Sequence, residues 1–114
     1  MKAIDLRSIV ASEVKDLNAF YGDNTGSFEE HNYKINYQIS SAILIEHQRT
    51  YVVDFDIWCE DTVDVETITD NIESLFNRRT YESATFYLET RYNADEKNIF
   101  RRTLTFEVRT FNEH

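Results

Sequence analysis

The chain has 114 residues, with no proline, two glycines and a single cysteine. Each scarcity removes a class of function. One cysteine, Cys59, permits no internal disulfide and points to a reducing compartment. Two glycines, Gly22 and Gly26, are too few for a glycine-rich phosphate cradle. The histidines, His31, His47 and His114, stand at no metal-ligand spacing. No stretch approaches the roughly 20 apolar residues of a membrane span. The segment "MKAIDLRSIVASEV" has no apolar run suited to a signal peptide, so a cytoplasm is the expected compartment. Cations are scarce too: 12 Lys and Arg face 21 Asp and Glu, a net charge of -9. Phosphate contacts need clustered Lys and Arg, so this balance argues against a nucleic-acid-binding surface over the whole molecule. It suits a wall that repels a phosphate backbone.

What is present suits one domain, 1–114, with one core. Hydrophobic residues make up 41% and aromatics 14%, and a chain this long hides roughly two-thirds of its unfolded surface. Leu6, Ile9, Val10, Val14, Leu17 and Phe20 form one apolar stripe, predicting a helix over 5–20 that Asp5 can cap. "YGDNTGSFEEHN" reads as a long loop. Tyr33, Ile35, Tyr37 and Ile39 alternate as a half-buried strand, extending through "AILIE" with a bend at Ser40 and Ser41. "HQR" turns into a strand over 50–59, where Tyr51, Val53, Phe55 and Ile57 share one face. Val52, Asp54, Asp56 and Trp58 share the other. "EDTVDVETITDNIESLFNRR" predicts a second helix, capped by Asp61 or Thr62, with Arg78 and Arg79 at the end the helix dipole favours for cations. Strands over 84–92 and 99–111 flank the turn "NADEKN". The order α-β-β-α-β-β predicts an α+β fold, two helices on one face of a mainly antiparallel four-stranded sheet.

The chemistry is sparse. Asp54 and Asp56, at i and i+2, place two carboxylates on one strand face roughly 7 Å apart. Glu60, Asp61 and Asp64 follow closely. A hard cation wants several such oxygens, but the glycine-containing calcium-loop pattern is missing, and a solvated sheet face explains the acids equally well. Cys59 and His47 fall too far apart along the chain path for a nucleophile and base. No catalytic residue, metal ligand or cofactor is assigned. Trp58, Ile99 and Phe111 fall on the face opposite the core set, where either a partner interface or a flanking loop would cover them. Charge is uneven: 46–73 is strongly acidic, whereas 74–114 carries Arg78, Arg79, Arg91, Lys97, Arg101, Arg102 and Arg109. Unlike flanks on different sides can steer identical copies head to tail, and charges merely scattered for solubility explain the pattern equally well.

"YVVDFDIWCED", the helix "VETITDNIESLF", and "YLETRYNADEKNIFRRTLTFEVRTF" with its F-R-R-x-L-x-F strand resemble the tail terminator, or tail completion, proteins of long-tailed bacteriophages. The resemblance runs over most of the chain. It implies a homo-hexameric ring on the end of the tail tube, stopping growth and meeting the head connector, with DNA passing through the lumen. It implies no catalysis, no cofactor and no membrane partner. The expected place is the neck end of the virion tail, after assembly in the host cytoplasm. On that reading Asp54, Asp56, Glu60 and Asp61 keep a lumen or rim negative. Trp58, Arg101, Arg102, Asp64 and Glu66 are candidates for contacts between subunits. The loop with Gly22, Asp23, Asn24 and Gly26 is a flexible contact to tube or connector. Other readings are an acidic DNA mimic, a head-completion protein of the neck, and a small metal-dependent enzyme using Asp54 and Asp56.

Overall fold

The computed structural model describes residues 1–45 and 48–111. The expectations for Glu46, His47 and His114, and for the side chain of Phe111, lie outside the described residues. The elements are α1 (Ala3–Glu13), β1 (Ala19–Tyr21), β2 (Tyr33–Ile45), β3 (Gln48–Cys59), α2 (Thr62–Phe76), β4 (Thr80–Tyr81), β5 (Ala84–Asn93) and β6 (Phe100–Phe111). The strands form one sheet in the order β1-β2-β3-β6-β5-β4.

The four-stranded antiparallel fold is overturned. The sheet is larger, mixed and strongly curled. Short strands extend both sides: β1 pairs in parallel with 35–37 of β2, and β4 pairs with Ala84 and Thr85 of β5. Curling follows from long twisted strands and from two bulges, between Ser41 and Ile43 and between Leu88 and Thr90, since an extra residue bends its strand and deepens the twist. The bend expected at Ser40 and Ser41 is the first of these.

The helix boundaries also shift. α1 stops at Glu13, not at Phe20. Asp5 stands in its first turn and accepts a hydrogen bond from the Lys2 N–H at 3.0 Å, so Lys2 is the N-cap. Val14 and Leu17 still turn toward the core. Phe20 sits in β1 opposite Asn36, on the other sheet face. Past the end of the helix, Asn18 ties the turn to the loop that follows: its carboxamide donates to the carbonyls of Ser27, Phe28 and Tyr33. α2 begins as expected, with the Asp61 carboxylate accepting from the Val63 and Asp64 N–H groups at 2.9 Å. It ends at Phe76. Arg78 and Arg79 therefore lie beyond the last turn, where their backbones bond Phe86.

The core is one cluster. α1 contributes Leu6 and Val10, α2 contributes Val65, Ile72 and Phe76, and the sheet contributes Ile35, Tyr51, Val53, Phe55, Ile57, Phe86, Leu104 and Phe106. Its centre is aromatic: the Phe76 ring lies 5.1 Å from Phe55 and 5.0 Å from Phe86. Thr69 is fully buried on α2, its hydroxyl satisfied by the Val65 carbonyl one turn back at 2.6 Å.

Candidate functional site

The alternation of β3 sends Val52, Asp54, Asp56 and Trp58 to the face away from the core. Sheet order then decides their neighbours. β3 lies between β2 and β6, so Asp54 stands between Gln38 and Thr105, and Asp56 between Asn36 and Thr103. The Thr105 hydroxyl donates to Asp54 at 2.7 Å. Asp56 accepts from the Thr103 hydroxyl at 2.7 Å and from the Arg101 Nη2 at 2.9 Å. Arg101 also lies over the Trp58 ring, 4.5 Å from its centroid, a stacked cation as well as an ion-paired one. On Asp56 the place of a metal ion is thus held by a fixed guanidinium. Among the described residues no group of three or more His, Cys, Asp or Glu side chains is placed to hold a metal.

This face is also tighter than a solvated sheet face. Asn36 is 2% exposed and Lys34 8%. Among the described residues, Asn36 Oδ1 and Trp58 Nε1 are buried without a hydrogen-bond partner. Each such orphan costs about 1–3 kcal/mol.

The acids of α2 have a different fate. Glu66, Asp70 and Glu73 follow one helix face at helical spacing. Arg91 reaches all three, at 2.8, 2.7 and 3.1 Å. Arg102, nearly buried, joins Glu66 and Asp95. Burial alone would push both guanidinium groups down, but the hydrogen bonds from these carboxylates outweigh it and hold both further into the charged range. Arg101 and Arg102 are the sequence's candidates for contacts between subunits, and in the structure Arg102 meets Glu66 and Asp95 inside one chain. Arg101 likewise engages Asp56, and Asp64 accepts from Asn32 Nδ2 at 2.7 Å. Of the acidic rim candidates, Asp54 and Asp56 hold contacts on the sheet, Asp61 caps α2, and Glu60 stands exposed between them.

The loop from Gly22 to Asn32 is anchored. Thr25 Oγ1 donates to the carbonyls of Tyr21 and Gly22, and Asn36 Nδ2 donates to the Thr25 carbonyl at 2.8 Å. Gly22, Asn24 and Gly26 all have positive φ. At Gly26, with φ +72°, a Cβ would come within 2.2 Å of the Phe20 ring, so both backbone and space demand glycine. Asp23 is exposed at the loop surface.

Sequence reasoning missed Asn18, Asn36 and Arg91. The stripe Glu66, Asp70, Glu73 was the available signal for Arg91, because three like charges on one helix face call for a cation.

Cys59 is fully buried and its thiol is pushed up, by burial first and by the charges of Asp64 and Asp61 after it. Burial also raises the phenols of Tyr37 and Tyr81. These groups hold protons more tightly folded than unfolded. Their contribution is therefore complete below the ordinary thiol value and fades as pH climbs through the raised folded values. The urea midpoint should hold from neutral pH up to the ordinary thiol range, about 8.5, and fall from there to beyond about pH 10, and a thiol reagent should label Cys59 only as the chain unfolds. Fast labelling of the native chain at neutral pH would contradict the buried placement.

Comparison with protein-family models and with curated proteins finds no match. No helix among the described residues is long and apolar enough to cross a membrane.

Proposed function

We propose that this chain is a structural subunit of a bacteriophage tail: identical copies close as a ring on the end of the tail tube, stop its growth, and present a joining surface to the head connector while DNA passes through the lumen. The observation that carries this reading is the employment of the carboxylates. Those of β3 and α2 hold the fold together through Thr103, Thr105, Arg91, Arg101 and Arg102. Asp23, Glu29, Glu30 and Glu60 remain on the surface of a chain carrying -9. Acids used as braces and as surface charge suit a part that must sit beside DNA without gripping it.

On this reading the rim charge rests more on Glu60 than on Asp56, whose charge Arg101 offsets. The likeness of the D-x-D-I-W strand and the F-R-R-x-L-x-F strand to tail terminators supports the same assignment. Its partners are other copies of itself, a hexamer in the assembled tail, together with the tube protein and a connector or head-completion protein. Electron microscopy of tails made without this protein tests it. Overlong, headless tubes are expected; tubes of normal length already joined to heads would reject it.

A further inference from the structure

The sheet has two open edges. On one side β1 covers β2 only over 35–37, with a last bond from the Gly22 N–H to the Tyr37 carbonyl at 2.9 Å. Past that point, 38–45 of β2 bonds β3 on its inner side and shows no backbone partner on its outer side among the described residues. On the other side, the outer edge of β5 is used by β4 and then by two local contacts. Phe86 exchanges backbone bonds with Arg78 and Arg79, and the Leu88 N–H donates to Asn77 Oδ1 at 2.9 Å. Beyond the bulge, 89–93 is open in the same way.

The composition of the first edge is unusual for this protein. "QISSAILI", 38–45, contains no charge in a chain with 33 charged residues (12 basic, 21 acidic), and no proline. Proteins protect exposed edges with Lys, Pro, covering loops or bulges, because unpaired N–H and C=O groups template another strand. Among the described residues only the bulge after Ser41 serves. The exposed large hydrophobic side chains among the described residues are Ile4, Ile43, Leu44, Val63, Tyr87 and Tyr92. Four of them lie on β2 and β5. An uncharged edge is also where two copies with net charge -9 can approach without forcing like charges together.

We infer that the partner of the β2 edge is a second copy of this chain, which offers its β5 edge, 89–93. A head-to-tail contact uses both open edges, whereas pairing β2 with β2 leaves every β5 edge bare. β2 and β5 run antiparallel within the sheet, through β3 and β6. Copies related by rotation about an axis along the strands keep that relation, so the new ladder is antiparallel and the sheet continues from subunit to subunit. Main-chain bonds supply affinity in such strand addition, and the flanking side chains supply register. A heterologous contact of this kind closes into a ring when its rotation permits. The pairing gives the ring proposed above its contact, but its test needs no phage.

The test uses the full chain in two variants. Ile43→Lys with Leu44→Lys charges the β2 edge at side chains that are 58% and 50% exposed. Tyr92→Lys with Asn93→Pro blocks the β5 edge at exposed positions. Thermal melts establish that both fold. In sedimentation velocity over a concentration series, wild type should self-associate, and each variant alone should associate more weakly by about thirtyfold as a minimum, the loss of one well-packed contact residue. Mixed, the two variants retain one intact pair of edges and should form a one-to-one dimer. A photoreactive side chain placed at the exposed Leu44, cross-linked and read by mass spectrometry, should join 38–45 of one copy to 88–93 of another, which keeps the test decisive if an edge variant fails to fold. A wild type that stays monomeric at every attainable concentration would overturn the inference. So would a β5-edge variant that associates like wild type, or cross-links joining 38–45 to itself. Normal tails in the absence of this protein would reject the tail reading and leave the pairing standing.

Discussion

Replacing Phe76 with Ala lowers stability by about 3–5 kcal/mol, the usual cost of an emptied aromatic site in a packed core. For a domain of this length that is roughly 12–20 °C in Tm. Phe76 is fully buried in the last turn of α2. Its ring meets those of Phe55, Phe86, Phe106 and Tyr81 at centroid distances of 5.1, 5.0, 6.1 and 5.9 Å. Those four come from β3, β5, β6 and β4, so one side chain joins the helix to most of the sheet. The surrounding rings are held by strands and cannot collapse into the space, which puts the cost in the upper part of the range. Phe76→Leu keeps most of the volume and should cost about 1–2 kcal/mol. Chemical denaturation of the two variants checks both figures. A loss below about 1 kcal/mol for the alanine variant would mean that the ring is not the hub of the core.

How far the sequence foretells such a structure depends on the period each segment keeps. Tyr51, Val53, Phe55 and Ile57 alternate strictly, and their burial follows. Val65, Ile72 and Phe76 keep the helical period and also turn inward. Arg91 breaks the pattern because the bulge at Glu89 reverses the faces of β5, so a side chain that counting places outside instead reaches α2. The strands β1 and β4 are too short for any period to register. The contacts of Asp54 and Asp56 were hidden for another reason. Their neighbours Thr105 and Thr103 come from β6, far along the chain, and only the strand order brings β6 beside β3. Spacing showed that the two carboxylates share a face; it could not show which donors would answer them. Likewise Arg101, Arg102, Asp64 and Glu66 stood out together as contact candidates, but which of them meet, and whether within one subunit or between two, depends on where α2 lies over the sheet.

The link from α1 to β2 turns on Asn18, which yields the second large effect. Asn18→Ala should cost about 2–4 kcal/mol, from the lost hydrogen bonds and from carbonyls left without a donor. The Asn18 carboxamide donates to Ser27 O at 3.0 Å, Phe28 O at 3.3 Å and Tyr33 O at 2.9 Å, and the residue is 7% exposed. Its backbone carbonyl accepts from the Ile35 N–H, and its own N–H donates to the Tyr33 hydroxyl. One residue therefore ties the turn after α1 to the loop before β2 and sets the parallel pairing of β1. Hydrogen exchange should show the loss as faster opening of 19–32, with the aromatic centre of the core protected as before. The informative companion is Asn18→Asp, nearly identical in volume. A carboxylate is acceptor only and would face three carbonyl oxygens. It should destabilise at least as much as alanine at neutral pH and recover in part in acid, where a protonated Asp regains one donor. If Asp and Asn at this position proved equally stable at neutral pH, the donors would be idle and the loop would owe its order to Gly26 against Phe20 and to the bond from Asn36 to Thr25.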